Sequence, residues 1–418
     1  MNFKIIYGLV IGLYELGLMV AAVFSFKVRR MLIGRTASLG VLKNFRMANP
    51  DDDLFWFHAA SVGEFEQALP IIRKMKEIRP EVKVAVSFYS PSGFEMKSNH
   101  PLIDVSFYLL ADRSWNAAKV IKILKPKALV IVKYEFWYYL IFTCHRFQIP
   151  VISVCCILKP GVFKKWPYAV LLKKCFLLIQ HVFVQNSETS QVLKDEGISA
   201  ITINGDTRVD RVLEVREAQT EIDWLVEWKD GHKLLIVGSA WAEDLIFLRE
   251  FIRHGVVEAH SLWKLLIVPH EINDSHLRHL ISTLQLPYEF YSEWKDSKQE
   301  TDILVLNTLG LLSKTYRYAD AAWIGGAFKT GLHNTLEAAV YGIPVGFGPK
   351  YQKFQEAKDL MRLGVACSFP GPVSVWEFFQ NNTEVEEEKQ RIIASANLYF
   401  ESQKGASVII VQYLLNLN

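Results

Sequence analysis

Largely hydrophobic runs of strand length alternate with helix-period segments along most of this chain. Leu54–Phe57, Val82–Ser87, Val105–Leu110, Ala128–Val132, Val151–Val154 and His181–Val184 read as strands buried on both faces. Between them, segments such as Ala68–Ile78 and Ser114–Leu124 carry apolar residues at helical spacing. The rhythm restarts at Lys233–Val237, Trp263–Val268, Asp302–Leu306, Ala321–Ile324 and Pro344–Phe347, after a charged, pattern-poor helix or linker around Gly205–Arg216. The alternation predicts an α/β protein of two parallel-sheet domains, 27–205 and 217–418, joined by a linker at 206–216 and facing each other across a cleft. The last helix is free in this reading to pack back on the first domain.

Ahead of the first domain, residues 5–26 are nearly all apolar, with Glu15 the one interruption. As a helix they are roughly 33 Å long, enough for a hydrocarbon layer of about 30 Å. No small-residue cleavage pattern follows, so 1–26 reads as an anchor helix. Lys27, Arg29, Arg30, Arg35, Lys43 and Arg46 come next with no acid among them, which predicts that everything downstream is cytoplasmic. Glu15 weighs against a full span and leaves open a helix lying in the interface, with the basic stretch on anionic headgroups.

Composition narrows the field. A formal net charge of +3 over 418 residues lacks the dense basic footprint of a nucleic-acid binder. The five cysteines form no C-x-x-C pair, which predicts reduced thiols in a reducing compartment and no zinc site. Asp51-Asp52-Asp53 resembles a metal-binding D-x-D, but it precedes a strand instead of following one and reads as a solvated turn.

The candidate chemistry lies where strands hand over to helices. The strand Leu54–Phe57 breaks at His58-Ala-Ala-Ser-Val-Gly-Glu and a helix starts at once. This puts Glu64, exposed, at the carboxyl edge of the first sheet, where open α/β folds bind ligands. A carboxylate there is a candidate general base; the plain alternative is a helix-capping acid. In the second half, Gly238-Ser239 follows a strand and precedes a helix, a place for phosphate. Pro269-His270 ends another strand, so His270 is a candidate phosphate or sugar contact. The longest signature is Gly325 to Ala338. Gly325 and Gly326 allow close backbone approach, His333 and Asn334 are placed at a helix start, and Glu337 lies one turn in, a candidate for ribose hydroxyls. Asn334 and Glu337 also fit a local capping box.

These residues together resemble the 3-deoxy-D-manno-octulosonic acid (Kdo) transferases of lipopolysaccharide biosynthesis. His58–Gln67, Gly238-Ser239, Pro269-His270, Gly325-Gly326 and His333-Asn334-x-Leu336-Glu337-Ala338 carry the resemblance, in order, along most of the chain. It implies a GT-B glycosyltransferase with an acceptor domain first and a CMP-Kdo domain second. It also implies a lipid A precursor (lipid IVA) as acceptor and a place on the cytoplasmic face of the inner membrane. By position, Glu64 matches the family's catalytic base, and Glu135 a second acid in the same cleft. Ser61, Gly63, Lys27, Arg29, Arg30 and Arg35 become candidate acceptor or membrane contacts. Gly238, Ser239, Pro269, His270, Gly325, Gly326, Lys329, His333, Asn334 and Glu337 become candidate donor contacts. Relatives often carry arginine in the turn that here reads Pro269-His270-Glu271. Thr330 holds the usual place of a basic residue, and Lys159 stands near the place of a usual arginine.

The implied reaction is a direct, inverting displacement of CMP without metal or other cofactor. Two rivals stand beside it: a GT-B nucleotide-sugar epimerase, and a membrane-tethered nucleotide-sugar binding protein without transferase activity.

Overall fold

Seven strands of the first half pair in parallel throughout: β1 Leu54–His58, β2 Lys83–Phe88, β3 Val105–Tyr108, β4 Ala128–Val132, β5 Val151–Cys156, β6 His181–Val184 and β7 Ile201–Ile203, in the order β3-β2-β1-β4-β5-β6-β7. The computed structural model describes residues 3–417 apart from 134, 165–166, 219–220, 259–261, 285, 299, 330 and 372–374. The period-2 alternation of a strand divides the apolar runs between two cores. Trp56, Leu129 and Ile131 face the helices Ser114–Leu124, Tyr138–Arg146 and Tyr168–Phe176. Phe55, Phe57, Val130 and Ile152 face the helix Val62–Ile78, through Phe65, Ala68 and Ile72. Burial on both sides explains why these strands read as continuous hydrophobic runs.

The helix Ala406–Leu415 completes the second of these cores with Ile410, Val411 and Leu414. Asp210 fixes its start by accepting hydrogen bonds from the Gly405 and Ser407 amides at 2.6 and 2.7 Å, as a capping carboxylate does. The chain accordingly divides into two units, Met1–Asp210 with Gln403–Asn418, and Arg211–Ser402. The boundary between the units falls within the stretch around Gly205–Arg216, and of the two forms expected there, helix or linker, the helix is found. It is the helix Thr207–Glu217, whose start is bound by Thr207 Oγ1 to the Gln67 carbonyl at 2.7 Å.

Ser25 breaks the first helix, α1 (Phe3–Phe24), from the second, α2 (Phe26–Ala48), and caps the latter. By length and composition α1 is the one described helix able to cross a membrane. Its first half, however, is fastened to the first unit. Tyr7 donates to Asp112 at 2.6 Å, Arg113 donates to the Gly8 carbonyl at 2.7 Å, and Tyr139 donates to the Lys4 carbonyl at 2.7 Å. Glu15, the charge that interrupts the apolar run, is held by Arg35 of α2 at 3.1 Å.

The second unit repeats the plan with β8 Lys233–Ala240, β9 Trp263–Pro269, β10 Glu289–Phe290, β11 Ile303–Val305, β12 Ala321–Ile324, β13 Val345–Phe347 and β14 Ala366–Ser368. Their order is β10-β11-β9-β8-β12-β13-β14, again all parallel. Its core is aromatic, with Trp263, Trp323, Phe251 and Phe379 fully buried.

Candidate active site

In the first sheet the strand order reverses between β1 and β4, the switch point at which open α/β sheets leave a crevice. The residues leaving those two strands converge there. Ser61 caps the helix Val62–Ile78, and Glu64 closes a capping box. Glu64 Oε2 accepts hydrogen bonds from the amides of Ala60 and Ser61 at 2.6 and 3.2 Å, and Ser61 Oγ accepts from the Glu64 amide at 3.4 Å. The exposed position expected for Glu64 is corrected: the side chain folds back on the helix start and is only 9% exposed. Both amides bind Oε2, and among the described residues no hydrogen bond is made to Oε1. The helix-capping reading of this acid is therefore true of one oxygen.

His58 ends β1, fully buried. Its Nδ1 lies 2.9 Å from Ser87 Oγ and 3.1 Å from the Ser87 carbonyl. A carbonyl only accepts, so Nδ1 carries a proton. Nε2 faces Glu135 Oε2 at 3.5 Å, at the outer limit of a hydrogen bond. Glu135 is held from the other side by Trp137 Nε1 at 2.8 Å. Burial lifts the pKa of Glu64 above the ordinary carboxylate value and the charge of Glu135 lifts it further, against the pull of His58, the Ala60 amide and Lys133. Burial alone would raise Glu135 too, but His58 and the Trp137 N–H outweigh it and hold that carboxyl low. Two carboxylates pushed in opposite directions are the usual mark of divided acid–base roles. Beside them Gly63 is exposed, and a Cβ built on it would meet nothing within 4 Å.

The basic stretch is mostly engaged. Arg35 is buried against Glu15, Arg30 pairs with Glu95 at 2.7 Å, and Arg29 donates to the carbonyls of Ala22 and Val23 at the end of α1. Lys27 stays exposed. Arg35 is thus corrected from a headgroup contact to a helix-pairing residue, because a buried guanidinium needs its own counter-charge. Asp52 and Asp53 pair with Lys83 and Lys127 at the amino end of the sheet, away from Glu64.

In the second unit the predicted donor residues gather at the carboxyl ends of β8, β9 and β12, again at the reversal of strand order. Gly238 and Ser239 are not a strand-to-helix turn, as expected, but part of β8. Ser239 takes a left-handed backbone at φ 52° in a bulge that lets the strand run on to Ala240. Gly238 is needed because a Cβ there would fall 1.9 Å from the buried Tyr316 hydroxyl oxygen. Asp244 ties the turn together: it accepts from the amides of Trp241 and Gly326 at 3.0 and 3.2 Å and from Trp323 Nε1 at 3.0 Å. Burial pushes its pKa up to about 6 against those three donors.

His270 stacks on Trp241 and lies tilted against His333, with ring centroids 4.8 and 4.4 Å away, and Trp241 Nε1 donates to His333 Nε2 at 3.4 Å. Burial, followed by the charge of His270, pushes the His333 pKa down to about 4. Pro269 closes β9, and Lys329 pairs with Glu243. His333 and Asn334 do not begin a long helix: the segment Leu336–Ala339 is a single turn, which removes most of the expected dipole. Asn334 instead bridges locally, donating to Glu337 Oε1 at 3.0 Å and accepting from the Leu336 amide at 3.2 Å. Thr330 lies outside the described residues.

Two parallel seven-stranded α/β units, each with a crevice where its strand order reverses, define a GT-B type of protein. The UDP-GlcNAc 2-epimerase of Neisseria meningitidis bound to UDP-GlcNAc shares this fold at a TM-score of 0.61. It is 14% identical, with 87% of this chain and 99% of that one covered; a likeness at that identity concerns the fold alone. Residues 35–211 match the family described as 3-deoxy-D-manno-octulosonic-acid transferase (kdotransferase). The 3-deoxy-D-manno-octulosonic acid transferase of Aquifex aeolicus is 27% identical over 314 residues, 73% of this chain and 79% of its own length. That of Chlamydophila psittaci is 25% identical over 371 residues, covering 82% and 83%. Along most of its length the chain is thus similar to Kdo transferases, which supports a glycosyltransferase enzyme.

His58 and Asp244 were not singled out by the sequence, although His58 heads the motif that carries Glu64. The strand-ending histidine before a Ser-x-Gly-Glu turn was the available signal for the first. For Asp244 the signal was an acid three residues into the helix after Gly-Ser.

Proposed function

We propose that this protein transfers Kdo from CMP-Kdo to a lipid A precursor, lipid IVA, in lipopolysaccharide biosynthesis on the cytoplasmic face of the inner membrane. The reading is supported most by the Glu64–Glu135–His58 group, in which one carboxylate with a raised pKa lies beside one with a lowered pKa. An acceptor sugar hydroxyl gives its proton to Glu64 as its oxygen attacks the anomeric carbon of Kdo. The bond from that carbon to the phosphate oxygen breaks, and CMP leaves with the electron pair, so configuration inverts. A carboxyl pushed upward is a better base at neutral pH than an ordinary one. Burial and the charge of Glu135 keep Glu64 in that range, with His58 pulling the other way. Gly63 leaves room for the acceptor at the base, and Ser61 holds the turn.

On the donor side, Gly238, Ser239, Gly325 and Gly326 supply a backbone surface for the phosphate, and the stacked Trp241 and His270 rings a flat face for the base. Asn334 and Glu337 are assigned to the ribose. The α1 helix lies in the membrane interface, since its first half is bound to the first unit and its outer face is apolar.

Incubating the protein with CMP-Kdo and a tetraacylated lipid A precursor, then weighing the lipid, tests this reading. The expected result is a product heavier by one or more Kdo units. CMP binding without any heavier lipid would leave only a nucleotide-sugar binding protein.

A further inference from the structure

Two side chains of α1 reach the same loop of the first unit. Glu15 accepts from Arg35 at 3.1 and 3.2 Å, and the Arg35 guanidinium lies 4.9 Å over the ring of Tyr89. One residue earlier, the Tyr14 hydroxyl is hydrogen-bonded to the Tyr89 hydroxyl. The Tyr89 ring stacks on Trp137, with centroids 5.1 Å apart and planes 24° from parallel. Trp137 Nε1 donates to Glu135 Oε2 at 2.8 Å, and that oxygen faces His58. A continuous line of contacts therefore runs from the second half of α1 to an active-site carboxylate.

A second line reaches the same place from the first half of α1. Trp137 is the residue before helix Tyr138–Arg146, whose second and third amides, Tyr139 and Leu140, donate to Asp112 at 3.0 and 2.8 Å. Asp112 also accepts the Tyr7 hydroxyl, and the Tyr138 amide donates to Tyr7 at 3.3 Å. Both halves of α1 thus reach the Trp137 end of the loop that carries Glu135.

The other side of α1 is bare. Leu9, Leu13, Leu16, Val20, Val23 and Phe24 are exposed, next to Lys27 at the start of α2. An apolar helix face flanked by cationic groups suits a bilayer surface with anionic headgroups.

We infer that Tyr89 and Trp137 are positioning residues through which α1, once seated on an anionic lipid surface, sets the place of Glu135 and so brings the active site to full activity. The inference rests on the reading of Glu64 and Glu135 as the reacting acids. An aromatic stack transmits a displacement well because both rings are stiff and have few rotamers. One hydrogen bond to a charged carboxylate is enough to change a rate about tenfold.

The full chain is titrated with phosphatidylglycerol–phosphatidylethanolamine vesicles in two experiments. In the first, the indole N–H signal of Trp137 is followed, assigned among the 11 tryptophans as the signal lost in Trp137→Phe. It should shift with vesicles in the wild type, and Tyr14→Phe and Tyr89→Phe should blunt the shift. In the second, kcat for transfer to a water-soluble, deacylated acceptor should rise about tenfold with vesicles, with KM for CMP-Kdo unchanged. Both tyrosine variants should lose that rise, and Trp137→Phe, which keeps the ring, should lose it too. An indole signal unmoved by vesicles, or tyrosine variants that respond as the wild type does, would overturn the inference. If the protein transfers no Kdo at all, the proposed function fails, while the indole experiment still reports whether α1 is coupled to Glu135.

Discussion

Gly63 offers a test in which folding and function pull in opposite directions. It is the second residue of the helix Val62–Ile78, between the cap Ser61 and Glu64. It does not have a positive φ, is exposed, and has nothing within 4 Å of a built Cβ. Folding has no use for glycine here. Replacing it with alanine removes unfolded-state freedom and should stabilise the chain by up to about 1 kcal/mol. If the acceptor sugar packs against the bare backbone beside the base, however, the new methyl group meets it. Overpacking of that kind costs about 1–3 kcal/mol, which at about 1.4 kcal/mol per decade is a fall of roughly 5- to 150-fold in kcat/KM. Gly63→Ala should therefore melt at or above the wild-type temperature, bind CMP as before, and transfer Kdo to the acceptor with a markedly lower kcat/KM. Transfer within twofold of wild type would show that the acceptor does not approach this turn. A lower melting temperature would contradict the open space around it.

Two further outcomes follow from the second unit. A Cβ at Gly325 would fall 2.3 Å from the Ser239 carbonyl oxygen and 2.7 Å from Asp244 Oδ2. Both are fixed, so Gly325→Ala should lose about 3 kcal/mol of stability in urea unfolding and weaken CMP binding; near-native stability would refute the clash. Asp244 has its pKa raised from 3.8 to about 6. A raised folded-state pKa contributes stability that is fully present below about 4 and lost as pH rises through 6, here about 3 kcal/mol at ~1.4 kcal/mol per unit. The stability of the wild type relative to Asp244→Asn should therefore climb as pH falls from 7 to 4, and a flat difference would exclude a perturbed carboxyl.

The parts of the fold that were readable are those where one local pattern decides. The run Leu54–Phe57 is buried on both faces, so it could be read as a strand without its partners. β10 is two residues long and half-buried, and β7 has no fully buried residue; neither offers a hydrophobic run. Gly238-Ser239 read as a turn because glycine and serine usually break strands, whereas the positive φ at Ser239 makes a bulge that continues β8. The helix expected at His333 is cut to one turn before Gly342, at φ 69°.

Glu64 was legible because its motif is contiguous. Its modifiers were not. His58 depends on Ser87, 29 residues away, and Asp244 on Trp323, 79 residues away. Only the parallel pairing of β1 with β2 and of β8 with β12 brings those partners together. Arg35 misled for the same reason, since its counter-charge Glu15 faces it across two helices that the sequence does not show packing together.

The most direct measurement is single-turnover transfer by Glu64→Gln. Glutamine can still accept the Ala60 and Ser61 amides through its carbonyl oxygen, so the capping box, the melting temperature and CMP affinity should all persist. Transfer of Kdo to the lipid acceptor should fall by about 10²–10⁴-fold, the usual weight of a general base. A variant that folds, binds CMP and still transfers Kdo within a few-fold of the wild-type rate would contradict Glu64 as the base.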